Sequence, residues 1–79
     1  MLQHVKCDRD AIVTRYLGPV NRYGSRIKAT LGERSLTLPY DPRLTADGNH
    51  YAAARKLAGH DNLVGGVLPN GNRAWVVMP

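Results

Sequence analysis

The sequence predicts an α+β domain: an antiparallel sheet of about five strands in the order β-β-β-α-β-β, with one helix packed on one face. Three observations carry this. The segments "SRIKATL" and "LTLPY" alternate apolar and polar residues with period two. A single stretch, "NHYAAARKLAG", repeats apolar residues at helical spacing. Asn70-Gly71, a strong short-range hairpin signal, sits between two apolar runs.

Residues 1 to 10 show no firm period and read as a flexible arm on a single domain spanning residues 1–79. Residues 11 to 17, "AIVTRYL", suit a strand because β-branched and aromatic residues dominate. "GPVNRYG" supplies Gly, Pro and Asn, the residues that turns use for positive or fixed φ. Ile27, Ala29 and Leu31 then share one face, and Arg26, Lys28 and Thr30 the other. After a "GERS" link, Leu36, Leu38 and Tyr40 form the next apolar face. Setting Leu31 opposite Leu36 brings Ala29 to Leu38 and Ile27 to Tyr40, with Thr30 opposite Thr37 behind. A slip of one residue would put charges on the apolar face, so the pattern disfavours it. By the same logic Tyr16 falls opposite Ser25. Ile12, Thr14 and Tyr16 then join the core, and Val13, Arg15 and Leu17 lie beside Arg26 and Lys28.

The helical segment has Thr45 as its N-cap, Asp47 at the positive end of the dipole, and Gly59 just past the last turn. Tyr51, Ala54, Leu57 and Ala58 make a narrow apolar stripe, and the small run Ala52 to Ala54 lets the helix lie close to a sheet. Gly48 weakens the first turn. In the tail, a two-residue Asn70-Gly71 turn pairs Leu68 with Arg73 and Gly66 with Trp75, so that the indole covers a glycine. Leu63, Val67, Ala74, Val76 and Met78 then form one face. Val64, Leu68, Arg73, Trp75 and Val77 form the other.

Seventy-nine residues with no Phe and one Trp must build a core from Ile, Leu, Val, Ala and Tyr. So thin a core supplies only a few kcal/mol, which makes a bound partner or a homodimer an attractive source of further stability. Eleven Lys and Arg against six Asp and Glu leave a net charge of +5. The excess is concentrated in residues 1–34, where Lys6, Arg9, Arg15, Arg22, Arg26, Lys28 and Arg34 face only Asp8, Asp10 and Glu33. Arginine dominates over lysine, and its planar fork suits phosphate and carboxylate. Cys7 is the only cysteine, which fits a reducing, cytoplasmic compartment. No apolar run suits a signal peptide or a membrane span, so no membrane association is expected.

No catalytic, cofactor or metal site is expected. His4, Cys7 and the His60-Asp61 pair are too scattered for a zinc site, which needs about four ligands. The glycines of "GVLPNGN" and "LGPVNRYG" lack the spacing of phosphate loops and lead into no helix. Asp41 and Asp47 flank the helix start, where capping accounts for them. The chain therefore reads as a non-enzyme whose partner-binding residues are Arg15, Arg26 and Lys28 on a sheet face, with Arg22 and Tyr23 at the turn. Arg73 and Trp75 join them if the last hairpin pairs with the first strand. The plain alternative is that these cations only solvate an open face and that Trp75 is the one large core residue. An uncovered face carrying Val13, Leu17, Val64, Leu68 and Trp75 would mark an interface.

The run "IVTRYLGPVNRYGSRIKATLGERSLTLPYD", followed by "NHYAAARKLAG", resembles short accessory proteins of bacterial phages, plasmids and integrative elements across residues 11 to 59. The resemblance implies a setting more than an activity. It points to a small non-enzymatic inhibitor of the anti-CRISPR or anti-defence kind that binds a host protein or nucleoprotein complex. A basic chain argues against mimicry of DNA. The alternative expectation is a nucleic-acid-binding accessory protein that uses its basic sheet face directly.

Overall fold

The computed structural model describes residues 11–59 and 61–78. The arm expected at residues 1 to 10, with His4 and Cys7, and also His60, lie outside the described residues. Five strands and one helix follow in the expected order: β1 (Ala11–Leu17), β2 (Arg26–Leu31), β3 (Arg34–Pro39), α1 (Ala46–Ala58), β4 (Leu63–Val67) and β5 (Arg73–Val77). They build one antiparallel sheet in the order β3-β2-β1-β5-β4. The closing hairpin docks on β1, which becomes the central strand. An α+β fold results, with α1 over β1, β2 and β3.

Each hairpin register differs from the sequence expectation, for reasons that lie in the turns. Gly32 has φ 60° and Glu33 a negative φ, the signature of a two-residue type II′ turn. That tight turn sets Leu31 opposite Arg34, Ala29 opposite Leu36 and Ile27 opposite Leu38. In the first hairpin Tyr16 lies opposite Ile27, not Ser25. The pairing continues beyond the sheet, because Val20 and Tyr23 exchange backbone hydrogen bonds of 2.8 and 3.1 Å. "GPVNRYG" is thus a hairpin extension with Asn21-Arg22 at its tip. Both shifts are of two residues, so the faces survive.

The last hairpin shifts by one residue, and its faces change. Gly71 N–H donates to the Leu68 carbonyl at 2.9 Å, and Leu68 N–H to Asn72 at 2.7 Å. Pro69 thereby occupies the second position of a turn ending in Gly71, whose φ is 90°. Its fixed φ suits that position, and the glycine takes the left-handed site of a three-residue loop. Trp75 consequently pairs with Gly65 rather than Gly66, and Arg73 with Val67. Leu63 and Val67 join Trp75 and Val77 on the helix side, while Val64, Ala74 and Val76 face the open side.

The core is small. Ile12, Ile27, Ala29, Ala53, Ala54 and Leu57 are buried, with Leu31, Leu36, Leu38, Tyr40, Leu63 and Trp75 packed around them. Thr45 caps α1 by accepting from Gly48 N–H at 3.0 Å, and Gly59 ends it at φ 77°. The buried stripe runs through Asn49, His50, Ala53, Ala54 and Leu57, rotated from the expected one, because its two polar residues find hydrogen-bond partners. Asn49 accepts from Asp41 N–H at 2.7 Å and donates to the carbonyls of Asp41 and Thr45. It ties the β3–α1 loop to the first helical turn. Arg34 donates to the Leu57 carbonyl at 2.8 Å, closing the other end of the helix.

His50 belongs to a buried polar triad. Trp75 Nε1–H donates to Thr14 Oγ1 at 2.9 Å, and Thr14 Oγ1 lies 2.7 Å from His50 Nδ1. The threonine hydroxyl, with one proton and two lone pairs, thus joins the indole to the imidazole and also reaches the Arg73 carbonyl at 3.5 Å. Burial first, and then the positive charge of Arg73, hold the imidazole below its ordinary pKa, with Asp47 opposing them.

Candidate nucleic-acid interface

The first hairpin places its cations by simple alternation. Ile12, Thr14, Ile27 and Ala29 point to the helix, so the intervening residues point away from it. Arg15 stands directly opposite Lys28, and Leu17 opposite Arg26. Arg26 lies two residues from Lys28 on the same face. Its guanidinium sits over the Tyr23 ring, 4.9 Å from the centroid. Arg22 occupies the exposed tip. Arg15, Lys28, Arg26 and Arg22 therefore form one strip from the middle of the sheet to the end of the hairpin.

The strip ends in a groove of about 560 Å³ lined by Arg22, Tyr23, Ser25, Arg26, Pro39, Tyr40 and Pro42. Tyr16 buttresses it: its ring meets Tyr40 edge-on with centroids 5.7 Å apart, and its hydroxyl lies 2.7 Å from Ser25 Oγ. Arg26 Nε is buried in this wall with no hydrogen-bond partner among the described residues. A buried donor left unpaired costs about 1–3 kcal/mol, and an oxygen-rich ligand would relieve that cost. Tyr16 and Tyr40 were not legible as site residues. Their only signal was an aromatic residue at the C-terminal end of each strand flanking β2.

Charge pairing distinguishes the arginines of this strip from the other described arginines. Asp41, Asp47 and Asp61 are bound to Arg43, Arg73 and Arg55 respectively. The Arg43 side chain holds the Asp41 carboxyl below its ordinary pKa, and the Asp61 bond raises that of Arg55. Arg34 is committed to the helix C-terminus. Arg15, Arg22, Arg26 and Lys28 have no acidic partner among the described residues. Two of them are set face to face across a strand pair, which is itself destabilising.

Arg73 and Trp75 are not part of this surface. β5 does pair with β1, but Arg73 lies opposite Thr14 and Trp75 opposite Ile12, on the helix side. The Arg73 side chain is 17% exposed and bonds Asp47 at 2.8 Å. Trp75 stacks near Tyr51, with ring centroids 5.7 Å apart, and packs over Gly65. The apolar part of the open face is instead formed by Val13, Val64 and Val76, which are 36%, 57% and 45% exposed.

Among the described residues no group of three or more His, Cys, Asp or Glu is arranged to hold a metal ion. No described helix is long and apolar enough to cross a membrane. The arrangement defines an antiparallel α+β domain with a cationic, tyrosine-edged hairpin. Comparison with protein-family models, with curated proteins and with solved structures finds no match for the chain.

Proposed function

We propose that this chain is a small non-catalytic binding protein that grips the nucleic acid of a host nucleoprotein complex with its first hairpin. The observation that supports this is the clustering of Arg15, Lys28, Arg26 and Arg22, which have no acidic partner among the described residues, beside a groove edged by tyrosines. Cations that track a backbone, next to aromatic faces on which bases stack, are the usual means of holding single strands. Like charges set opposite each other weaken a fold, and a phosphate between them turns that repulsion into attraction. The resemblance to proteins of phages and mobile elements supplies the setting, an anti-defence inhibitor. Val13, Val64 and Val76 beside the cations favour a protein surface as the second component of the target. Without such a component, the chain is a nucleic-acid-binding accessory protein.

Fluorescence anisotropy with a single-stranded oligonucleotide, titrated between 50 and 200 mM salt, tests the nucleic-acid contact. Three or four phosphate contacts predict a log–log slope of about −2 to −3, falling by roughly 0.7 for each cation removed. No binding at 50 mM salt refutes a direct grip. A pulldown from bacterial lysate, with and without nuclease, then separates the two settings: a partner protein lost on digestion was held through nucleic acid alone.

A further inference from the structure

The two edges of the sheet are built differently. Edge strand β3 carries Arg34 and ends in Pro39, devices that discourage further pairing. Edge strand β4, "LVGGV", has no charge and no proline, and it is exposed along most of its length. The hydrogen-bond phase of β4 follows from its ends. Met78 N–H donates to Asn62, and Leu68 N–H donates to Asn72. In an antiparallel ladder the bonded residues alternate, so the even-numbered residues of β4 bond to β5 and the odd-numbered ones face outward. Leu63 N–H turns back to the Asp61 carbonyl at 3.0 Å. The N–H groups of Gly65 and Val67 and the carbonyls of Leu63, Gly65 and Val67 are left on the open edge.

We infer that β4 pairs antiparallel with β4 of a second copy, about a two-fold axis through Gly65. Three features select this occupant. In that register Gly65 bonds its own counterpart, and Val67 N–H meets the second copy's Leu63 carbonyl. All four outward N–H groups of the two copies then find partners. Val64 falls opposite Gly66, where a side chain would meet nothing within 4 Å. Each valine thus enters a space the other chain leaves empty, whereas a parallel pairing would set valine against valine. The four hairpin cations without an acidic partner among the described residues lie on β1, β2 and their turn, so two positively charged copies meet at the opposite edge, where Arg73 is paired with Asp47. On the helix side, a hollow of about 260 Å³ bordered by Gly65, Val67, Arg73 and Trp75 lies beside the position taken by the second copy's Leu63.

The axis stands perpendicular to the sheet, so both open faces point the same way in a ten-stranded sheet. At roughly 4.8 Å per strand the two β1 strands lie about 24 Å apart and the two β2 strands about 34 Å apart. If the proposed function holds, one dimer presents two cationic strips to one nucleic acid. The dimer itself does not depend on that function and is tested without nucleic acid.

Sedimentation equilibrium on the full chain supplies the test. An edge contact is smaller than a standard interface, so dimerisation is expected only at high concentration, with the mass moving from 8.7 kDa toward twice that value by about 500 μM. Gly66→Lys fills the space needed by Val64, and Val67→Pro removes an outward N–H that the monomer does not use. Both variants are expected to keep the wild-type circular dichroism spectrum and to stay at 8.7 kDa. Amide exchange on the wild-type chain needs no variant: protection at Gly65 and Val67 is expected to rise with concentration. A wild-type chain that stays monomeric at about 500 μM overturns the inference. So does a folded variant that dimerises like wild type, or exchange at Gly65 and Val67 that is independent of concentration.

Discussion

Lys28→Glu separates a gripping surface from an incidentally basic one, because the structure predicts opposite effects on stability and binding. Lys28 is exposed and stands directly across from Arg15, with Arg26 two residues away on the same face. Two unit charges about 6 Å apart in water repel by about 0.7 kcal/mol, and physiological salt roughly halves this. Reversing one sign swings the pair from about +0.3 to about −0.3 kcal/mol, a gain of about 0.6. Lys and Glu have similarly poor strand propensity, so the backbone term largely cancels. For a domain of this size, that gain raises Tm by roughly 2–5 °C. Binding should move the other way. One cation becomes an anion within the strip, and affinity for a single-stranded oligonucleotide should fall more than tenfold, about 1.4 kcal/mol. Thermal melts by circular dichroism and anisotropy at the same salt concentration measure both, with Lys28→Gln expected to fall between. A variant that melts lower than wild type would refute the like-charge contact. A variant that binds as well as wild type would remove Lys28 from the interface.

The registers show how far the sequence could be read and where it stopped. Alternation alone placed Ile12, Thr14, Ile27 and Ala29 toward the helix, and Arg15, Arg26 and Lys28 away from it. It could not count loop residues. Around Gly32 and in the first hairpin the error was two residues, and a period-two pattern is blind to such a shift. Around Pro69 the error was one, so Trp75 changed partner and left the open face, where Val76 stands opposite Val64 in its place. Pro69 held the missing information, since a residue with fixed φ fits the second position of the turn. The helix stripe was misjudged for another reason. Asn49 and His50 look like solvent residues until the Asp41 loop and Thr14 arrive to satisfy them, and those contacts span 8 and 36 positions. That the four hairpin cations have no acidic partner among the described residues was illegible too, because it depends on where Asp41, Asp47 and Asp61 went.

Three further outcomes test the packing on which the hairpin rests. Gly65→Ala would drive a Cβ into the Trp75 indole and to 2.7 Å from the Ala74 carbonyl oxygen. A loss of about 1–3 kcal/mol is expected in urea unfolding, whereas Gly66→Ala should be nearly neutral; equal effects would refute the register. Asn49→Ala strands Asp41 N–H, while the Asp41 and Thr45 carbonyls keep the backbone N–H groups of Leu44 and residue 49, and should cost about 1–3 kcal/mol; a loss below about 1 would show the loop is held by other contacts. His50 predicts a pH dependence. Its imidazole is held below the ordinary 6.5 by burial and then by Arg73. As pH falls through 6.5 the unfolded chain takes up this proton before the folded one, so stability is full above that pH and declines below it. Asp41, already depressed from 3.8, contributes nothing to that window. Melts between pH 7.5 and 5 should show Tm falling for wild type and a shallower fall for His50→Gln. Equal slopes for the two proteins would mean that the Thr14–His50 contact tolerates a charged imidazole.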